Sequence, residues 1–599
     1  MTYIQRRWYP LAGAKPARRA ATGPTTRKAQ KPGPIDPLTG PKLALAGRVV
    51  TMDAARTVIQ EGVLWIAGSR IAAVTSATAP TPAGFADIAP LPTNSTLYPG
   101  LIELHNHLCY NILTLWQVPK LYSNRDQWPS HKDYSKLISG PMGTLGSIPE
   151  QVAAISRYTE AKCLLGGVTT SQGITIRSFS TKRYYKGIIR NVEASLDKLL
   201  PAARAKIGDV KADTAQSFLK SISKKSCSCF LLHLSEGRDA HARQRFLDLK
   251  FGNDSWAIAP SLCGIHAAAL KPEDFQIMAE HGASMVWSPS SNLMLYGATA
   301  DVAAATAAGV RVSLGCDWSP SGSRNLLAEL KIARAAAQAF NTGLTSRDIV
   351  AMVTSTPAAI LRWGDHLGTL EAENYADVIA VKGTTGEPYD HLINADESDL
   401  RLVMIGGRSR LADPVLDLIP AANVETISVG AATRELDFED ADSDPLVAGL
   451  TLAGAEARLK DALQRLPELA ADVLAPKSMS LPAVAKVNPR TWFLDLDHEE
   501  FVSFNPKHRK MKVARTVKAA ALAKPAQRFG PPLHMLTGFK VKWPKKLAIT
   551  KGGGKLQPKA KVTGLVPLQL DKLTVAGDKD YWTSLKAEMN IPKSVKDLF

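Results

Sequence analysis

Between residues 99 and 367, short apolar runs alternate with stretches of helical spacing, the pattern of a parallel sheet covered on both faces by helices. The runs 97–105, 167–171, 187–191, 229–233, 262–266, 284–287 and 312–315 predict seven strands. An eighth, which would complete an eightfold barrel, is expected within 192–226, where the spacing reads as helical. Short β-like runs precede this block at 43–52, 62–66 and 70–74 and return after it at 376–381 and 400–405. Sheet segments on both sides of a central block predict a composite β-sandwich built from the two flanks. The boundaries read as 42–98 and 368–425 for the sandwich and 99–367 for the barrel, with a C-terminal extension at 426–599. Within that extension, 452–475 has apolar spacing suited to one amphipathic helix, through Leu452, Leu459, Leu463 and Leu466.

Charge separates the ends from this body. Of a net +18, residues 1–40 contribute eight Lys/Arg against one acid, and 501–599 contribute twenty-one against five, which leaves the middle mildly acidic. Residues 1–41, rich in Arg, Pro, Ala and Thr without periodicity, read as a flexible basic arm. The C-terminal lysines are spread out and interrupted by prolines, with few aromatics between them. That texture suits an arm lying on an acidic surface of its own or a neighbouring chain better than a nucleic-acid face. A homo-oligomer without nucleic-acid or membrane partners is therefore expected. Composition is ordinary globular, 45% hydrophobic and 7% aromatic, and no run approaches the roughly 18 residues of a membrane span. The six scattered cysteines suit a reduced, cytoplasmic setting. Cys227-Ser228-Cys229 has no second pair at zinc-site spacing and reads as strand packing.

The ends of the predicted strands carry the chemistry. His105 and His107 close the first, and on an extended strand residues i and i+2 point to the same side. On a helix the same spacing would splay them by about 200°. His233, His266 and Asp317 close three later strands, and Glu236 follows His233 by three residues. In a parallel barrel all these ends converge on one face. A long insert at 110–150, holding Trp116, Tyr122, Trp128 and Tyr134, follows the first strand and is either a pocket wall or a packed aromatic cluster. Two other patches are read as non-catalytic: Asp495-Leu496-Asp497-His498-Glu499-Glu500 as an acidic turn, and Gly552-Gly553-Gly554-Lys555 as lacking phosphate-loop spacing.

Taken in order, Pro99-Gly100-Leu101-Ile102-Glu103-Leu104-His105-Asn106-His107, Gly167-Val168-Thr169-Thr170, His233-Leu234-Ser235-Glu236, Ile265-His266, Ser288-Pro289-Ser290-Ser291-Asn292, Leu314-Gly315-Cys316-Asp317 and Ser355-Thr356-Pro357-Ala358 resemble the amidohydrolase superfamily. The branch resembled contains triazine hydrolases and cytosine and guanine deaminases, over about residues 42–425. The chain departs from it at Trp287-Ser288, where many relatives have His-Cys, and at Asn374, where a Gly is usual.

The resemblance implies a (β/α)8 barrel and one divalent ion per chain, zinc or iron, held by His105, His107, His233 and Asp317. It implies that Asp317 takes a proton from a metal-activated water, that His266 orients the water or polarises the substrate, and that Glu236 shuttles the proton. Trp287, Ser288, Asn292 and Trp318 would line the pocket. The activity expected is hydrolytic attack at a trigonal carbon of a small nitrogen-containing compound, in the first place deamination of a heterocycle. Amide or carbamate hydrolysis on the same site, and a non-catalytic scaffold on a hydrolase fold, remain open alternatives.

Overall fold

A computed structural model describes residues 40–178, 181–224, 227–474, 492–496 and 564–599. Nearly all of the basic arm 1–41, much of the basic segment 501–599, residues 497–500 of the acidic turn and the glycine run 552–555 lie outside the described residues.

The alternating apolar block folds as eight parallel strands in chain order, arranged as two sheets. Leu101–Glu103, Val168–Ser171 and Arg190–Asn191 form one; Arg204–Lys206, Phe230–Leu234, Leu262–His266, Ser284–Trp287 and Arg311–Leu314 form the other. Arg204–Lys206 is the strand expected within 192–226. It is three residues long, and two of its residues are exposed, so it carries no apolar signature. The two sheets meet at both edges. Ala203 donates its N–H to the Val192 carbonyl at 2.7 Å, and a parallel bridge pairs Asn106 with Asp317. Side chains such as Ile102, Leu104, Leu231, Cys263, Ile265 and Val286 are buried together between the strands.

Both flanks join in one nine-stranded sheet. Leu91–Pro99, from before the block, pairs antiparallel with Val378–Lys382, from after it. Beyond residue 425 the sheet continues through the hairpin Val424–Val429 and Ala432–Asp437, whose turn places Gly430 at φ +57°, where a Cβ would be strained. The expected single helix at 452–475 is two helices, Leu452–Gln464 and Leu466–Leu474. Pro467, which has no N–H to donate, sits in the first turn of the second. Leu452, Leu459, Leu463 and Leu466 are all buried, as their spacing requires. Among the described residues no helix is long and apolar enough to cross a membrane, and all six cysteines are buried and free.

The basic stretch 501–563 lies outside the described residues, whereas the described part of the C-terminal segment, 564–599, carries five lysines and five acids and docks on the body. Its acids, not its lysines, make the buried contacts. Asp571 pairs with Lys162 Nζ at 2.6 Å and Arg324 Nη2 at 2.8 Å, and Asp578 takes the other arm of Arg324 at 2.8 Å. Desolvated cations of this kind need their partner, because removing one member leaves a buried charge uncompensated. Asp571→Ala should therefore lower the unfolding free energy by about 3–5 kcal/mol. Urea denaturation of the full chain checks this, and a loss of stability indistinguishable from that of an exposed Asp→Ala change contradicts it.

Candidate metal centre

The strand ends place their polar residues on one face, and the backbone itself sets the spacing. His107 donates its N–H to the Asp317 carbonyl at 2.6 Å, and Asp317 donates its own to the His105 carbonyl at 3.1 Å. Gly315 makes this approach possible: a Cβ there would lie 2.8 Å from both the carbonyl oxygen and the Cβ of His105. Ser235, His266, Ala267 and Asp317 all adopt positive φ, between +51° and +69°. Non-glycine residues in that region are strained, and such strain collects at functional sites.

The rings of His105 and His107 have centroids 5.1 Å apart, and His233 lies 4.7 Å from His105 and 5.3 Å from His107. Asp317 Oδ1 is 3.2 Å from His105 Nε2 and 3.5 Å from His107 Nε2. His266 joins the group, its ring 5.0 Å from that of His105. Two sets, His105 with His107 and His233, and His105 with His266 and Asp317, each bring one ligand atom per residue within 4.8 Å of the others.

The donor set fits a divalent ion of borderline softness, since imidazole nitrogen and carboxylate oxygen are what such ions take. Two orphaned atoms support the fit. His105 Nε2 and His233 Nδ1 are buried without a hydrogen bond, the former despite its closeness to Asp317. Buried nitrogens normally find a partner, and a metal would be one. Burial also holds His105, His233 and His266 below the ordinary imidazole range, which favours the neutral form that can ligate. Burial alone would raise the Asp317 carboxyl, but the surrounding imidazoles, His105 first, pull it below the usual carboxylate range.

Glu236 stands apart. Burial pushes its carboxyl up to about 7, against the pull of the Arg125 charge. Its Oε2 lies 3.7 Å from His266 Nε2, and its Oε1 accepts from the Tyr296 hydroxyl at 2.7 Å.

A short helix, Pro289–Tyr296, orients several of these groups. Ser291 donates to Asp317 Oδ2 at 2.6 Å, Asn292 Nδ2 lies 3.0 Å from His266 Nδ1, and Tyr296 holds Glu236. The helix is anchored by Ser290, whose N–H and hydroxyl bond to Glu329. Gln172 Oε1 accepts from the Asn106 N–H at 2.9 Å and lies 3.4 Å from His105 Nδ1, and Glu103 Oε1 accepts from the Cys316 N–H. Of these, only Asn292 was given a place at the site from the sequence, although Glu103, Ser290 and Ser291 lie within the motifs that carry the resemblance. Ser291, Tyr296, Gln172 and Glu103 reach the site across large sequence separations that no local pattern reveals.

Of the expected pocket residues, Trp318 meets His107 edge to face with ring centroids 6.0 Å apart and lies tilted against Trp128 at 5.8 Å. Asn292 touches His266, as described above. Ser288 is wholly buried with its hydroxyl unpartnered. Trp287 is wholly buried, and its indole N–H donates to Thr299, which in turn donates to Asn292. The insert aromatics Trp116, Tyr122, Trp128 and Tyr134 are buried against one another beside Trp318.

Residues 248–410 match the amidohydrolase family. The chain is 31% identical over 156 residues to a 5-methylthioadenosine/S-adenosylhomocysteine deaminase of Desulforudis audaxviator, which covers 25% of this chain and 35% of that one. It therefore spans about a third of that relative's length. A 5'-deoxyadenosine deaminase of Methanothermobacter thermautotrophicus is 22% identical over 436 residues, 66% of this chain and 98% of its own. Among solved structures, a zinc-bound adenosine deaminase of Xanthomonas campestris aligns at 18% identity over 70% of this chain and 98% of that one, with a TM-score of 0.46.

Burial pushes the Glu329 carboxyl from its ordinary 4.5 up to about 7, against the hydrogen bonds of Ser290 and Ser323. Because the folded value is the higher, the stability contributed by the protonated form is complete below pH about 4.5 and is lost as pH rises through 7. Glu329→Gln, which cannot ionise, should gain stability relative to the parent across that window and run parallel to it below 4.5. Denaturant melts at a series of pH values check this; a pH-independent difference contradicts it. The chain is similar to the amidohydrolase family over residues 248–410, and to the Methanothermobacter deaminase along 98% of that relative's length.

Proposed function

We propose that the protein is a metal-dependent aminohydrolase that adds water to a trigonal carbon of a nitrogen heterocycle and releases ammonia. The observation that carries this reading is that His105 shares one ligand-distance set with His107 and His233 and another with His266 and Asp317, with Glu236 beside His266. In this reading the two parallel sheets close as a (β/α)8 barrel over 99–367. The composite β-sandwich read over 42–98 and 368–425 extends through the hairpin to Asp437, ahead of the C-terminal extension. Zinc, or alternatively iron, would be held by His105, His107, His233 and Asp317. A bound divalent ion supplies acidity, bringing the pKa of a coordinated water towards about 7.

The protein groups then divide the proton work. Asp317, ionised and oriented by Ser291, accepts the proton of the attacking water on Oδ2 or Oδ1. His266, held by Asn292, directs its Nε2 at the reacting carbon's substituent. Glu236 is buried and ionises near neutrality, so it can give its proton to the ring nitrogen and recover one from the added hydroxyl as the carbonyl forms, while Asp317 passes the water's proton to the departing amine. Trp318 and the insert aromatics exclude water and offer flat faces to a heterocycle. The names of the relatives support adenine nucleosides as the first compounds to try.

Two substitutions separate metal holding from proton transfer. His105→Ala should lower both zinc content and turnover. Glu236→Gln should keep the ion and lose at least about a hundredfold in kcat, the low end for removal of a general acid–base. Ammonia release by the zinc-loaded protein from adenine nucleosides, other purines, pyrimidines, triazines and simple amides, with elemental analysis alongside, checks both. Loss of zinc in Glu236→Gln would put that residue among the ligands, and ammonia only from amides would replace deamination with amide hydrolysis.

A further inference from the structure

The two carboxylate oxygens of Glu236 have different surroundings. Oε1 accepts from the Tyr296 hydroxyl at 2.7 Å, whereas Oε2 lies 3.7 Å from His266 Nε2. The Tyr296 oxygen in turn accepts from Trp128 Nε1 at 2.9 Å. An indole N–H can only donate, so it takes an acceptor position on that oxygen. Tyr296 is wholly buried, and Glu236 Oε1 is the acceptor its own proton reaches. The relay therefore has one direction, from Trp128 through Tyr296 to Glu236.

We propose that Tyr296 is a positioning residue that reserves Glu236 Oε1 as a hydrogen-bond acceptor and leaves Oε2 as the atom that takes and returns the proton. This rests on the proton-transfer role put forward above, and adds the atom that performs it and the residue that assigns that atom. A proton on Oε1 would face the Tyr296 hydroxyl proton across a buried contact, and one of the two would lose its acceptor. A proton on Oε2 leaves the relay intact and lies on the side of His266 and the ligand cluster.

The head of the relay is held in place by the insert. Residues 122–128 are stitched to the segment following His233: Asn124 bridges Gly237, and Arg238 donates its N–H to the Ser123 carbonyl at 2.8 Å. Tyr122 donates its N–H to the Leu295 carbonyl at 3.0 Å, one residue before Tyr296. The insert thus fixes the donor that orients Glu236, besides walling the site.

Tyr296→Phe keeps the ring and removes the hydroxyl. In the zinc-loaded full chain, with ammonia release from an adenine nucleoside as the assay, kcat should fall about ten- to a hundredfold, as for a hydrogen bond to a charged group. KM and zinc content should stay within about twofold of the parent. In a Glu236→Gln background the same substitution should cost nothing further, because its effect passes through Glu236. An equal loss in both backgrounds, loss of zinc, or an unchanged kcat overturns the proposal. A crystal structure of zinc-loaded Tyr296→Phe gives a readout that needs no turnover. The Glu236 carboxylate should be rotated or split between two orientations, and a carboxylate left in place overturns the proposal. If the parent releases ammonia from no nucleoside, the deaminase reading fails, while the crystal structure still decides the role of Tyr296.

Discussion

Two backbone hydrogen bonds, from the His107 N–H to the Asp317 carbonyl and from the Asp317 N–H to the His105 carbonyl, tie the first strand of the block to the last. Everything proposed for the site depends on that tie. Without it, two histidines near residue 105 and an aspartate more than two hundred residues later would have no fixed relation. With it, Asp317 Oδ1 comes within 3.2 Å of His105 Nε2 and 3.5 Å of His107 Nε2, just past the end of the strand Leu101–Glu103. Gly315 lets the strands approach closely, and the left-handed backbone at His266 and Asp317 turns these residues out of the strand direction. Strain and close approach are local costs, and the burial of the surrounding strand cores offsets them.

The grouping of these histidines with Asp317 on one face was legible because each residue sits where an apolar run stops, and parallel strands stop on the same side. One strand was not legible. Arg204–Lys206 takes its place through backbone pairing with Phe230–Leu234, and its side chains report nothing of it. The groups that orient the ligands were hidden for a different reason. Gln172, Ser291 and Tyr296 act across separations of 26 to 67 residues, through contacts that exist only after the strands assemble. Trp287 marked a departure from the resembled pattern, and its place is in the core, one hydrogen-bonded step behind Asn292.

The charge excess of the C-terminal segment lies in 501–563, outside the described residues, and the described part 564–599 is balanced, with five lysines against five acids. That described part docks through Asp571, Asp578 and Glu588, which meet Lys162, Arg324 and the Val118 N–H. Lys162 also donates to the Asn111 carbonyl and to Ser319, and Asn111 donates to Asn106 between the two histidines. The docked segment is thus joined to the ligand-bearing turn by a continuous chain of hydrogen bonds, and the insert is joined to Glu236 by another. Periphery and site form one buried polar network, in which each partly satisfied group would be costly.

The central claim is that three imidazoles and one carboxylate hold the ion, with His266 outside its coordination. X-ray absorption at the zinc edge, on full-length protein loaded with one ion per chain, tests this most directly. The account predicts three imidazole ligands in the parent, two in His107→Ala, and an unchanged three in His266→Ala. Failure to load stoichiometrically, or loss of an imidazole on replacing His266, would contradict it.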